Sequence, residues 1–209
     1  MKKMLKYILI TAVIGLFSYN SLYIKKLSDV GKDAPKRFDA TTFSKNLWNE
    51  KMSAKIDNAV DLSVLIQAVT KDKEAALKKY SNALDIGNYR YVFIKTQAIV
   101  TGVNEDDVLI QTPVVDSMLY AILATEYIYG NAIRDASALV DVKDFPNTSD
   151  LNRISEEINK IVRTTVLPSF KATVKKDDKI NITAAIELNK EHINWNGLEL
   201  LPVRLQIIK

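Results

Sequence analysis

The hydrophobic period of this chain first changes at Gly87, and that change constrains the fold more than any other feature. Before it, apolar residues recur at helical spacing. Phe43, Leu47 and Trp48 follow Asp39; Leu62, Leu65, Ile66 and Val69 follow Asp61; Ala76, Leu77 and Tyr80 follow Asp72. Each aspartate is placed to accept from the free N–H groups of a first helical turn. After Gly87 the pattern becomes β-branched and aromatic. Residues 89–100, 107–113 and 114–129 read as three strands, with the polar turn 102–107 between the first two. A helix follows, capped by Thr148 or Ser149. Leu151, Ile154, Ile158, Ile161 and Val162 keep its period, and Pro168 marks its end. The chain then alternates, at Ile180, Ile182, Ala184, Ile186 and Leu188, and again at Leu201, Val203, Leu205 and Ile207. Pro202 marks that last strand as an edge.

Strand, strand, strand, helix, strand, strand is the element order of the oligonucleotide/oligosaccharide-binding (OB) barrel. The expected fold is therefore α+β: an N-terminal helical subdomain, then a small OB-like β-barrel with one helix between strands 3 and 4. The expected divisions are an N-terminal segment over 1–30, a linker and helical subdomain over 31–87, and the barrel over 88–209.

The net charge of +4 does not point to nucleic acid. Lys2, Lys3, Lys6, Lys25 and Lys26 against Asp29 account for all of it, and the remainder is neutral, whereas a nucleic-acid binder carries its basic surface on the folded domain. The excess flanks an apolar run from Leu5 to Ile24, about the length a helix needs to cross a bilayer. Tyr19 and Tyr23 suit an interfacial belt, and no small-residue cleavage site follows the run. The expectation is an uncleaved single-pass anchor in the cytoplasmic membrane, N-terminus inside and body on the periplasmic side. There is no cysteine, which removes disulfides, thiolate metal sites, thiol nucleophiles and a lipidated cysteine together.

No phosphate-binding glycine loop is present. The single histidine, His192, falls in a loop between the last two strands and reads as solvated. Asn104 to Asp107 reads as a hairpin turn. The richest polar stretch is 129–154, with Asn131, Arg134, Asp135, Asp141, Asp144, Asn147 and Asp150. Asp141, Asp144 and Asn147 recur at intervals of three but lack the calcium-loop spacing and its glycine. Two readings stay open. In one, Arg134 pairs with a carboxylate while Asp144, Asn147 and Ser149 satisfy backbone donors at a chain reversal. In the other, Asn131, Arg134 and Asp135 bind a small polar molecule, as arginine and amide groups do for sugars or anions. No catalytic residue, metal ligand or cofactor is assigned.

The core Gly130-Asn131-Ala132-x-Arg134-Asp135-Ala136, with Asp144, Phe145 and Asn147 after it, resembles domain-of-unknown-function family 2291, described as predicted periplasmic lipoproteins. The resemblance spans nearly the whole chain. It implies a helical part followed by a small barrel with a helix, and an accessory role beside ribose-type sugar-uptake (ABC) transporters. The chain departs from it in lacking cysteine, and in having Thr96 and Ala98 where glycines are expected. The function expected is a membrane-anchored extracytoplasmic binding or accessory module. The alternatives are a hydrolase using carboxylates such as Asp135 and Asp141, with or without a metal, and a purely structural partner of a transporter.

Overall fold

The computed structural model describes residues 2–21, 38–84, 87–115 and 117–208. They fall into two compact units, Met1–Phe38 and Asp39–Lys209.

The first unit contains helix α1, Lys2–Ser21. Among the described residues no helix is long and apolar enough to cross a membrane, so the structure does not support the expected single-pass span. The physical reason is visible in the sequence. Lys3 and Lys6 open the helix and Ser18, Asn20 and Ser21 close it, leaving an apolar stretch only from Tyr7 to Phe17. At about 1.5 Å per residue that stretch covers roughly half of a bilayer core. Leu22, Tyr23 and Ile24, which the span requires, lie outside the described residues.

The second unit begins with the three expected caps. Asp39 accepts from Thr42 N at 3.1 Å and opens α2, Ala40–Leu47. That run continues through a π-helical turn, Trp48–Met52, into α3, Ser53–Asp57. Asp61 accepts from Ser63 N at 2.9 Å and opens α4, Leu62–Lys71. Asp72 accepts from Ala75 N at 3.0 Å and opens α5, Lys73–Tyr80. A short strand, β1, Val60–Asp61, interrupts this region and pairs in parallel with the first long strand.

That strand is β2, Tyr89–Val103; β3 is Asp107–Val114, β4 Ser117–Ala124, β5 Lys179–Asn189 and β6 Leu198–Ile208. The order β2-β3-β4-β6-β5 closes on itself through the antiparallel pairing of β2 with β5, and only β4 and β6 run parallel within the ring. This is a five-stranded OB barrel. Val92, Ile94, Ala98 and Val100 of β2 meet Ile180, Ile182, Ala184 and Ile186 of β5 in its core, and Leu62, Leu65 and Leu77 of the helices belong to the same cluster.

Two prolines act differently from expectation. Pro202 does not mark β6 as an edge strand, because β6 pairs with β4 at Leu198–Leu200 and with β5 from Leu201 onward, but Pro202 itself is paired on the β5 side alone. It sits opposite Ala184, next to the register shift between Thr183 and Ala184, where a ladder tolerates a missing N–H. Nor does Pro168 end its helix. Helix α7, Thr148–Ile161, passes through a π turn, Val162–Val166, into α8, Leu167–Lys171, and Pro168 stands in the first turn of α8, where its absent N–H removes no bond.

The third strand stops at Ala124 rather than reaching Tyr129. The segment from there to α7 holds a helix that the sequence pattern did not show: α6, Ala132–Ser137. It packs on β2, β5 and α7. Under it Tyr91 and Phe93 are buried although strand alternation would place one residue of each neighbouring pair outside.

Candidate functional site

Arg134 and Asp135 lie on α6 and are almost fully enclosed, at 6% and 2% exposure. Arg134 Nε donates to Asp135 Oδ1 at 2.6 Å, and Nη1 donates to the Leu151 carbonyl, in the first turns of α7, at 2.9 Å. One side chain thus ties α6 to α7. Asn131 Nδ2 donates both to Asp135 Oδ2 and to the Tyr91 hydroxyl, the latter at 3.1 Å. Asn82 Nδ2 donates to the Asp135 carbonyl at 2.7 Å. Burial pushes the Tyr91 hydroxyl above the usual tyrosine range, Glu187 and Asp135 add to the shift, and the Asn131 bond opposes it. The three sequence-predicted residues are therefore in one network, held against the barrel by Tyr91 and against the helical layer by Asn82.

The turn before α6 is shaped by Gly130, at φ +75°, a conformation that disfavours any side chain with a Cβ. Its carbonyl accepts from Asn159 Nδ2 at 2.8 Å. Arg163, in the π turn, donates Nη1 to the Ile128 carbonyl at 2.5 Å and lies over the Tyr129 ring at 5.5 Å. Tyr129 in turn stacks on Tyr127, with centroids 6.1 Å apart.

Between this turn and α7 opens a cleft of about 560 Å³, bordered by Asn131, Arg134, Asn152, Ser155, Asn159 and Arg163, with Tyr129 and Glu156 at its sides. Arg134, Ser155 and Asn159 are each more than nine-tenths buried, yet line it. Arg134 Nη2 makes no hydrogen bond among the described residues and is accessible, on a side chain that lines this cleft. A second cleft of about 510 Å³ lies on the other side of Arg134 and Asn131, bordered by Tyr89, Tyr91, Asp135, Leu151 and Asn152.

The remaining polar residues of 129–154 do local work elsewhere. Asp141 accepts from Lys143 N at 2.9 Å, at the head of a short 3₁₀ turn, Val142–Asp144. Asn147, not Thr148 or Ser149, caps α7, accepting from Asp150 N at 2.9 Å. Asp144 is exposed and none of its side-chain atoms reaches a backbone donor among the described residues, contrary to the expectation for it. Among the described residues no group of three or more histidines, cysteines or carboxylates is placed to hold a metal. Asn152, Ser155, Asn159 and Arg163 escaped the sequence reading. Their signal was there: Asn152, Glu156, Asn159 and Arg163 recur at four, three and four residues, a polar stripe along one helical face.

The family model for predicted periplasmic lipoproteins of the DUF2291 type matches residues 12–206. The chain belongs to the DUF2291 family. Membership brings the family's description, a predicted periplasmic lipoprotein, while the 209 residues of this chain hold no cysteine to carry a lipid. The crystal structure of an OB-fold protein from Thermotoga maritima is similar over 83% of this chain and 100% of that one, with a TM-score of 0.72 and 23% identity. At that identity the likeness establishes the fold. No curated protein matches the DUF2291 chain.

Proposed function

We propose that this DUF2291 protein is a membrane-attached periplasmic binding or accessory module serving solute uptake, and that it takes a small polar ligand in the cleft between the Gly130 turn and α7. The observation that carries the reading is Arg134: a side chain 6% exposed that lines the cleft and whose Nη2 has no protein partner among the described residues. Among the described residues no buried side-chain nitrogen or oxygen lacks a partner, so the unbonded Nη2 is an accessible donor, open to water or a ligand. The attachment is assigned to α1, whose Ile8, Leu9, Leu16 and Phe17 are exposed. The association with ribose-type sugar uptake and ABC transporter components rests on the resemblance in sequence.

A hydrolase fits less well. Asp135 is committed to Arg134 and Asn131, and Asp141 caps a turn without lining either cleft. A binding module is tested by thermal shift of the full chain in mild detergent against a panel of polar solutes. At least one should raise the melting temperature, and Asn152→Ala, a change at an exposed rim position, should abolish that rise while leaving the unliganded melt in place. A panel without effect would sink the reading.

A further inference from the structure

The ligand class of the cleft follows one step further, resting on the binding reading above. Two guanidinium groups face the same space. Arg134 contributes Nη2. Arg163, half-buried, uses Nη1 on the Ile128 carbonyl and packs on Tyr129. No carboxylate lies within ion-pair distance of Arg163 among the described residues. Glu126 is near enough to feel it, but that carboxyl is held below its usual range chiefly by the hydrogen bond from Lys171, at 2.6 Å, with Arg163 the smallest contributor. The carboxylate in the lining, Glu156, is at the exposed rim.

Arg134 is balanced by Asp135, whereas Arg163 is a cation without a carboxylate at ion-pair distance, in a partly enclosed space where an unbalanced charge is felt more strongly than in open water. An oxyanion beside Arg163 supplies that counter-charge, guanidinium donors match a carboxylate or phosphate, and Arg134 adds Nη2, its one donor not bonded to protein. The geometry points to a small solute carrying an oxyanionic group, a carboxylate or phosphate, seated between Arg134 and Arg163. Its remaining hydroxyls face Asn152, Ser155 and Asn159. A neutral polyol would leave Arg163 without a counter-charge. Arg163 also stands in a π turn, an insertion that recurs at functional sites.

The test compares D-glucuronate with D-glucose, which differ by a carboxylate in place of a hydroxymethyl, by calorimetry on the full chain in mild detergent. Glucuronate should bind at least about tenfold more tightly, and added salt should weaken it. Arg163→Gln should lose roughly tenfold. Glu156→Gln, at the exposed rim, should fold normally and tighten glucuronate by roughly two- to fivefold, because it removes a like charge. Inorganic phosphate displacing glucuronate supports the anionic group as the recognised feature. Glucose binding as tightly as glucuronate, or Glu156→Gln weakening the latter, overturns the inference. Neutral solutes that bind, are lost in Asn152→Ala, and are not displaced by phosphate overturn the inference and leave the binding reading standing. Binding of no solute of either kind overturns both.

Discussion

Replacing Arg134 by lysine should lower stability by about 2 kcal/mol, and the figure can be built from the geometry. The guanidinium makes two internal bonds, to Asp135 at 2.6 Å and to the Leu151 carbonyl at 2.9 Å. Hydrogen bonds to charged groups contribute about 1.5–3 kcal/mol each. An ammonium on a shorter, unforked stem keeps the charge beside Asp135 but cannot also reach Leu151. The larger penalty of about 3–5 kcal/mol for an uncompensated buried charge is thereby avoided. One charged bond is lost, hence about 2 kcal/mol. For a chain of this size each kcal/mol moves the melting temperature by about 2–4 °C, so the expected drop is about 4–8 °C. Arg134→Ala strands Asp135 at 2% exposure and should cost about 3–5 kcal/mol. Thermal melts of the full chain in mild detergent, followed by circular dichroism, measure both. A lysine variant melting within about 1 °C of the parent would refute the structural tie. If that variant also lost solute binding, Arg134 would serve the ligand alone.

Gly130→Ala should destabilise by about 1 kcal/mol through the φ of +75° alone, since nothing lies within 4 Å of the added Cβ; an unchanged melt would exclude strain at this turn. Tyr91 should ionise above the usual tyrosine range in a spectroscopic alkaline titration, chiefly because it is buried, and Tyr91→Phe should remove that late step. Because its folded value is raised, its stabilising contribution is complete below 10.0, the value it titrates from, and is lost as pH climbs above it. Glu126 is the opposite case. Its folded value is lowered by Lys171, so its contribution is present above 4.5 and fades as acid titrates the folded carboxyl; Lys171→Met should remove that part of the acid dependence. The mass of the membrane-extracted protein should include residues 1–24, and a species beginning near Ser21 or Leu22 would show cleavage.

What was legible in the sequence was whatever repeats. Asp39, Asp61 and Asp72 each precede an apolar helical run, and each caps one. The alternation after Gly87 gave every long strand, and with the element order it gave the barrel. What was illegible was short or depended on closure. Strand β1 is two residues long and ends on the residue that caps α4. Helix α6 spans six residues, too few for a period to develop. Pro202 reads as an edge from sequence because local rules do not know that β4 returns to pair with β6, a contact between residues far apart in the chain. Pro168 reads as a stop because a π turn shifts the helical phase just before it, so that the proline enters a fresh first turn.

The site was half legible for the same reason. Asn131, Arg134 and Asp135 stand out by density, but the cleft wall comes from α7, whose apolar stripe drew the eye away from the polar one beside it. On the proposed reading, a scaffolding Arg134 and a ligand-facing one are compatible. A guanidinium has donors on two edges. Here Nε and Nη1 hold Asp135 and Leu151, while Nη2 has no protein partner among the described residues and the side chain lines the cleft. Asn159 and Arg163 repeat the device from the opposite wall, each spending one donor on a backbone carbonyl of the 128–130 turn. Every polar side chain that reaches deepest into the cleft is thereby fixed by a second bond behind it. Such fixing lowers the ordering cost of binding. It also means that the most buried members cannot be altered without loosening the fold, so ligand recognition separates from stability only at the rim, at Asn152 and Glu156.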